Sequence, residues 1–362
     1  MGPVAAMDPV RQPSHRRFVV TDEADIGAVR RAVGQFADRL AGHLVTNVAG
    51  GPARGLPDRP AVPSAAQGRV ELVATELATN LVRHGQPGRW VLARAVPPAG
   101  IELLAVDHGP GIADRSAALA GRTRTPGGLG CGLAAVQRAS AAFDLHSEPG
   151  RGTTVLSRLD LSDDRSPPAP RAWGGISVGL DEMCGDGWAV VEHGRLTAVA
   201  VVDGLGHGAK ASVAADAALT AFAVDPTDLD GVEARAHAAM RSTRGGAMTI
   251  CVADPDRGEL RYAAIGNVNG RVVCGSGQRG LVLSSGTLGL NPPPRVRRHT
   301  LPWQSGATLV LWTDGLSSRL NLPSDTELLR HDPAVVAAAL HREHARERDD
   351  ATVVVVRHPE TP

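Results

Sequence analysis

The chain has 362 residues, enough for two domains with full cores. Its 38 basic residues balance 38 acidic ones, which argues against nucleic-acid binding and against any general attraction to membranes. Four cysteines without paired short spacing exclude a disulfide frame and a zinc site, and no apolar run nears the ~20 residues of a membrane span. No signal-peptide apolar stretch follows the N-terminus, so a soluble cytoplasmic chain is expected. Residues 1–16 are polar and Pro-rich and predict a disordered leader. A short strand over 17–21 precedes a helix over 23–44, where Ile26, Val29, Val33, Phe36 and Leu40 recur at helical spacing. Residues 50–67 carry too much Gly and Pro for a regular element. A helix over 68–84 follows, with Val70, Val73, Leu77 and Leu81 as its stripe. Strands are predicted over 90–96 and 101–106, then a Gly-rich region over 109–132, a helix over 133–143 and a strand over 153–159. The run SDDRSPPAPR marks a stiff linker over 161–172. It divides the chain into domains at 17–160 and 173–358.

In the first domain, Glu76 and Asn80 lie four apart in RVELVATELATNLVRHG and so share a helix face, with His84 one turn on. Alone, a polar ridge beside an apolar stripe is ordinary amphipathicity. Downstream, LLAVDHGPGI ends an apolar strand on Asp107 and turns through Gly109 and Gly111. GGLGCGL, with Gly128, Gly130 and Gly132, leads into a helix and can offer backbone N–H groups to phosphates. GRGTTV, with Thr153 and Thr154, opens the last strand. A glycine motif alone is weak, but this ordered set resembles the GHKL (Bergerat-fold) ATPases. Within them it is most similar to the small serine kinases and anti-sigma factors that act on STAS-domain switch proteins. The resemblance implies a two-layer α/β sandwich that binds ATP with Mg²⁺. Asn80 would ligate the Mg²⁺, and Glu76 would be the general base for the acceptor serine. Asp107 would bind the adenine amino group, with Gly109 and Gly111 shaping the turn below it. Gly128, Gly130 and Gly132 would line the phosphates, and Thr153 or Thr154 would close the adenine pocket. The long loop at 50–67 departs from the family pattern and bears on the partner-facing surface.

In the second half, VAVVDGLGHG runs a buried strand straight into Asp203. Three further acidic sites have similar settings: Asp186 in MCGDGWAVV, Asp314 after TLVLW, and Asp349-Asp350 before ATVVVVR. Each Asp-Gly alone is most simply a turn. Carboxylates that converge repel, by about 4 kcal/mol per pair at 4 Å and an effective dielectric near 20. A hard divalent cation relieves that repulsion. The order of these motifs resembles the SpoIIE-type branch of metal-dependent (PPM) Ser/Thr protein phosphatases, over residues 174–357. The resemblance implies an α-β-β-α four-layer sandwich with two Mn²⁺ or Mg²⁺ ions. Asp203 would bridge the metals and the Gly204 carbonyl would add an oxygen. Asp314 would hold both metals or the first, and Asp349 rather than Asp350 the second. Asp186 would act at the outer edge through water. His207 is read either as a support or leaving-group acid of the site or as a loop histidine. Gly266-Asn267 is read as a structural turn, and residues 208–222 as paired helices beside the site.

Together the resemblances imply a two-domain α/β (α+β) regulator, an ATP-binding serine-kinase-like domain joined to a phosphoserine phosphatase. The implied substrate is a STAS-domain anti-anti-sigma factor or stressosome-type protein, with a sigma factor as a further partner. The alternative is a phosphatase whose first domain only senses ATP or sequesters a sigma factor.

Overall fold

The computed structural model describes residues 11–48, 64–86, 88–97, 99–122, 131–162, 171–275, 277–291, 295–317, 320, 322 and 327–358. These fall into two compact units, one of residues 15–162 and one of 11–14 with 171–358. Residues 50–63 of the loop expected over 50–67, Gly128, Gly130 and most of the linker lie outside the described residues. No described helix is long and apolar enough to cross a membrane.

The first unit contains β1 (Arg16–Val19), α1 (Glu23–Val48), α2 (Ser64–His84), β2 (Arg89–Val96), β3 (Gly100–Asp107), α3 (Arg115–Leu119), α4 (Gly132–Ala139), β4 (Ala142–Glu148) and β5 (Gly152–Asp160). The strands form one antiparallel sheet in the order β1-β2-β3-β5-β4. Val70, Val73, Leu77 and Leu81 of α2 are buried, as their spacing requires, against Val91, Ala93, Ile101, Leu103, Ala105 and Val155 of the sheet. Each large apolar side chain so buried contributes about 1.5–3 kcal/mol. This is the expected two-layer sandwich.

Several element boundaries differ from expectation, among them α1, which runs to Val48, and β1, which spans Arg16–Val19. Helix α2 begins at Ser64, not at residue 68, because Ser-Ala-Ala-Gln follows the last proline and Ala66 is buried in the core. The helix expected over 133–143 stops at Ala139, and residues 142–148 are instead an edge strand. Ser140 turns extended there (ψ 142°), and its hydroxyl bonds both Val136 O at 2.7 Å and Ser157 Oγ at 2.6 Å.

On the sheet, Arg94, Glu102 and Arg158 stand directly across neighbouring strands, all buried. Burial alone would raise the Glu102 carboxyl, but Arg94, Arg158 and His15 hold it well below the usual range. The opposite charges offset one another's desolvation.

The second unit contains β6 (Trp173–Val178), β7 (Asp186–His193), β8 (Leu196–Gly204), α5 (Ala209–Val224), α6 (Leu229–Met240), β9 (Gly246–Asp254), β10 (Glu259–Ile265), β11 (Asn269–Cys274), β12 (Gly277–Gly280), β13 (Arg298–Pro302), β14 (Thr308–Trp312), α7 (Glu327–Arg330), α8 (Pro333–His344) and β15 (Ala351–Arg357). Two five-stranded antiparallel sheets, β13-β10-β9-β8-β7 and β12-β11-β14-β15-β6, hold a shared core. The period-2 alternation of β8 decides the layering. Val199 and Val201 face the second sheet with Leu309, Leu311, Val354 and Val356. Ala198, Ala200 and Val202 face α5 and α6. Helix α8 covers the other sheet over β15 and β6. The result is the expected α-β-β-α sandwich.

Residues 208–222 are not a helix pair. They belong to α5 alone, and its partner α6 begins only after Asp225-Pro226, where the chain turns extended and Asp228 caps the new helix. The leader expected over 1–16 fails for its described part. Arg11 bridges Ala189 on β7, and Gln12 N donates to Trp188 O at 2.9 Å. β7 is the edge of its sheet, and an edge leaves backbone groups open to such pairing.

Candidate functional site

In the first unit, α2 carries Glu76, Asn80 and His84 on successive turns of one face. β3 delivers Asp107, β5 delivers Thr153 and the start of α4 delivers Gly132. All line one cavity of about 670 Å³. Asp107 is fixed at the wall by its Oδ1, which accepts from Gly109 N at 2.8 Å and Thr153 N at 3.2 Å. Gly111 needs its φ of +73°, and a Cβ there would meet Glu148 O at 2.2 Å. Gly132 lies so close that a Cβ would sit 2.7 Å from Glu76 Oε2 and 3.4 Å from Asn80 Oδ1. Of the two threonines, Thr153 lines the cavity and Thr154 does not, as alternation along a strand requires.

Two features fit a bound nucleotide with its cation. The Asn80 Nδ2 is buried with no hydrogen-bond partner among the described residues. Helix α4 has no side-chain cap at its N-terminus, leaving backbone N–H groups beside Asn80 and Glu76. Arg83 and Thr79, unmarked in the sequence reading, also line the cavity. Their place on the Asn80 face of α2 was the available signal.

In the second unit, Asp186 opens β7 and Asp203 closes β8, and the two are direct cross-strand partners. Asp186 is buried, and its Oδ2 accepts from Thr313 Oγ1 at 2.7 Å. Burial, with Asp350 and Asp349 nearby, pushes its carboxyl up to about 7. Burial and the charges of Asp186, Asp314 and Asp349 push Asp203 up to about 9. Asp349 is also raised, by burial first and then by Asp314 and Asp350. The structure thus brings Asp186, Asp203, Asp314 and Asp349 to one place. Among the described residues no three His, Cys, Asp or Glu side chains stand close enough together to hold a metal ion as they are placed. The carboxylates form an open group whose mutual repulsion a hard cation would offset, and in donor type they fit Mg²⁺ or Mn²⁺.

Asp350 has a different task. Its Oδ1 accepts from Leu180 N at 2.7 Å and its Oδ2 from Gly185 N at 2.6 Å, so both oxygens tie loop backbone. Gly204 is needed for close approach, since a Cβ would strike Ala211 O at 2.2 Å. Asn267 does more than turn the chain, because its Nδ2 donates to Asp314 Oδ2 at 2.6 Å. His207 Nδ1 lies 2.9 Å from Asp181 Oδ2, and its charge is felt at Asp349. Asp181 and Thr313 went unread in the sequence, although Asp181 is acidic just after β6 and Thr313 precedes Asp314.

A family model described as histidine kinase-like ATPase domain matches residues 21–158. A second, described as stage II sporulation protein E (SpoIIE), matches residues 193–359. The serine/threonine-protein kinase RsbT of Bacillus subtilis is 33% identical over 91 residues, 25% of this chain and 68% of RsbT. The first domain belongs to the histidine kinase-like ATPase family, and residues 193–359 match the SpoIIE family.

Among solved structures, RsbX in complex with magnesium is 23% identical, with a TM-score of 0.44 over 51% of this chain and 92% of its own. The RsbU and RsbW domains of a Mycobacterium tuberculosis protein are 20% identical, with a TM-score of 0.42 over 52% of this chain and 60% of that one. The M. tuberculosis serine/threonine phosphatase PstP is 18% identical, with a TM-score of 0.40 over 52% and 98%. Asp186 lies upstream of the residues matched by the SpoIIE model, and the register of β7 on β8 brings it to Asp203.

Proposed function

We propose that the SpoIIE domain is a Mn²⁺- or Mg²⁺-dependent phosphoserine phosphatase and that the ATPase domain is a serine kinase for the same partner. That partner is a STAS-domain anti-anti-sigma factor or a stressosome-type protein. The observation that carries the reading is the cross-strand pair Asp186–Asp203, the first buried and the second half-buried, joined by Asp314 and Asp349 at a charge cost that a cation would offset. Support for the partner class comes from similarity to the serine/threonine-protein kinase RsbT.

Two divalent cations would supply an acidified water at neutral pH and charge on the phosphoryl oxygens. Asp203, Asp314, Asp349 and the Gly204 carbonyl would hold them, with Asp186 at the outer edge. Asn267 keeps the Asp314 carboxylate turned toward Asp203. His207, paired with Asp181, would give a proton to the leaving serine oxygen. In the ATPase domain, Asn80 would hold Mg²⁺ and Asp107 the adenine amino group. The α4 N-terminus, opened by Gly132, would receive phosphates, and Glu76 would accept the proton of the attacking serine hydroxyl. Linkage of both domains in one chain gives a shared partner a high effective concentration at each site.

The test is phosphate release from a phosphorylated STAS partner with Mn²⁺, and phosphate uptake from ATP·Mg²⁺. Release should vanish in Asp203→Ala and with EDTA, and uptake should vanish in Glu76→Gln while ATP binding persists. No release on any STAS partner would sink the phosphatase assignment. Release without uptake would reduce the ATPase domain to a nucleotide sensor or a sigma-sequestering module.

A further inference from the structure

Asp186 is held from two directions. On its side chain, Thr313 Oγ1 donates to Oδ2, and the same hydroxyl oxygen accepts from Thr352 N at 3.0 Å. On its backbone, Arg11 Nη2 donates to the Asp186 carbonyl at 2.7 Å and reaches the Cys184 carbonyl at 3.3 Å. The other guanidinium nitrogen, Nη1, donates to Ser212 Oγ at 3.1 Å and is ion-paired with Asp216. Ser212 and Asp216 are one turn apart on α5, so they share a face. Gly187 makes room for the contact, since a Cβ there would sit 3.2 Å from Arg11 Nε.

We infer that Arg11 is a positioning residue of the metal site. Its guanidinium fastens the start of β7, which carries Asp186, to α5, which leaves the Asp203 loop. A planar fork of fixed donors suits this task, because four acceptors lie in four set directions. The contact matters because Asp186 and Asp203 repel when no cation lies between them. A pair that repels needs an external hold to stay spaced for a cation, and Arg11 supplies it without placing its own charge among the ligands. The inference rests on the reading of Asp186 and Asp203 as the metal pair. It assigns a catalytic-site duty to a residue that precedes the ATPase domain in sequence and docks with the SpoIIE unit.

Full-length protein carrying Arg11→Met, Arg11→Lys or Asp216→Asn tests it. Two readouts are needed: Mn²⁺ binding by calorimetry, and the Mn²⁺ needed for half-maximal hydrolysis of p-nitrophenyl phosphate. Removal of groups that orient metal ligands commonly costs 10-fold or more in metal affinity, so Arg11→Met should weaken Mn²⁺ binding about 10-fold. The rate at saturating Mn²⁺ should stay near wild type. Arg11→Lys should fall between, and Asp216→Asn should shift the same way by less. ATP-dependent thermal stabilisation should persist in all three as a control on the ATPase domain, and an unaltered far-UV circular dichroism spectrum reports folding of the whole chain. If Arg11→Met does not fold, the shift in the surface variant Asp216→Asn decides. Unchanged Mn²⁺ affinity in Arg11→Met and Asp216→Asn overturns the inference, as does a lower saturated rate at unchanged affinity. A wild-type protein that neither binds Mn²⁺ nor hydrolyses the probe would overturn the phosphatase reading as well.

Discussion

Asp203 shows what crowded carboxylates cost in stability. Its carboxyl is raised to about 9 and that of Asp186 to about 7, each from an ordinary 3.8, by burial and then by neighbouring carboxylates. The native state therefore holds protons that the unfolded chain releases above pH 3.8. Stability from these two groups is full below that pH and is lost as pH rises through 7 and then 9. Metal-stripped protein should accordingly lose melting temperature between pH 5 and 9, and Mn²⁺ should restore it. Asp203→Asn, which mimics the neutral acid, should stabilise the metal-free protein by about 2–4 kcal/mol at pH 7. It should also abolish phosphate release. Urea unfolding in EDTA checks this, and a variant no more stable than wild type would contradict the charge account. At this scale Glu76, Asn80, Asp107 and Asp203 were legible because a helix turn or a strand end places them locally. Arg11, Asp181 and Asn267 were not, since their partners lie 175, 26 and 47 residues away. No local pattern encodes such a distance.

Helix α5 owes its place to small residues. Ala211, Ala214, Ala215 and Ala218 are fully buried, and Gly204 of β8 approaches the Ala211 carbonyl too closely for any side chain. That closeness sets the α5 N-terminus beside the Asp203 loop. Ala218→Leu adds volume under the middle of the helix without touching an acidic residue. Overpacking of this kind costs about 1–3 kcal/mol. The variant should melt lower and require more Mn²⁺ for phosphate release, because lifting α5 also pulls on Ser212 and Asp216. Unaltered melting would mean that α5 is loosely seated. Several elements of the first domain could be read from periodicity, the α2 stripe most clearly, whereas β8 was legible as an unbroken apolar run. The misses have local causes. Strand β4 is seven residues long behind a helix that serine ends without Gly or Pro. Helix α6 is separated from α5 by an Asp-Pro turn that an alanine-rich run conceals.

At the scale of the molecule, each unit encloses its own core, one between α2 and its sheet, the other spread over two sheets and their helices. Both are of a size that folds cooperatively by itself. A ligand that binds one native unit stabilises that unit, by about 2.7 kcal/mol at a hundredfold excess over its Kd. Scanning calorimetry of the full chain should therefore resolve two transitions. ATP·Mg²⁺ should raise one and lose that effect in Asn80→Ala. Mn²⁺ without nucleotide should raise the other and lose that effect in Asp203→Ala. The transition raised by Mn²⁺ should also be the one lowered by Arg11→Met, because Arg11 packs with the SpoIIE unit despite its place before the ATPase domain. If Arg11→Met instead lowers the ATP-responsive transition, the N-terminal segment belongs energetically to the ATPase domain. A single transition moved by both ligands would mean that the two cores unfold as one. Nucleotide occupancy would then bear directly on the stability of the carboxylate site.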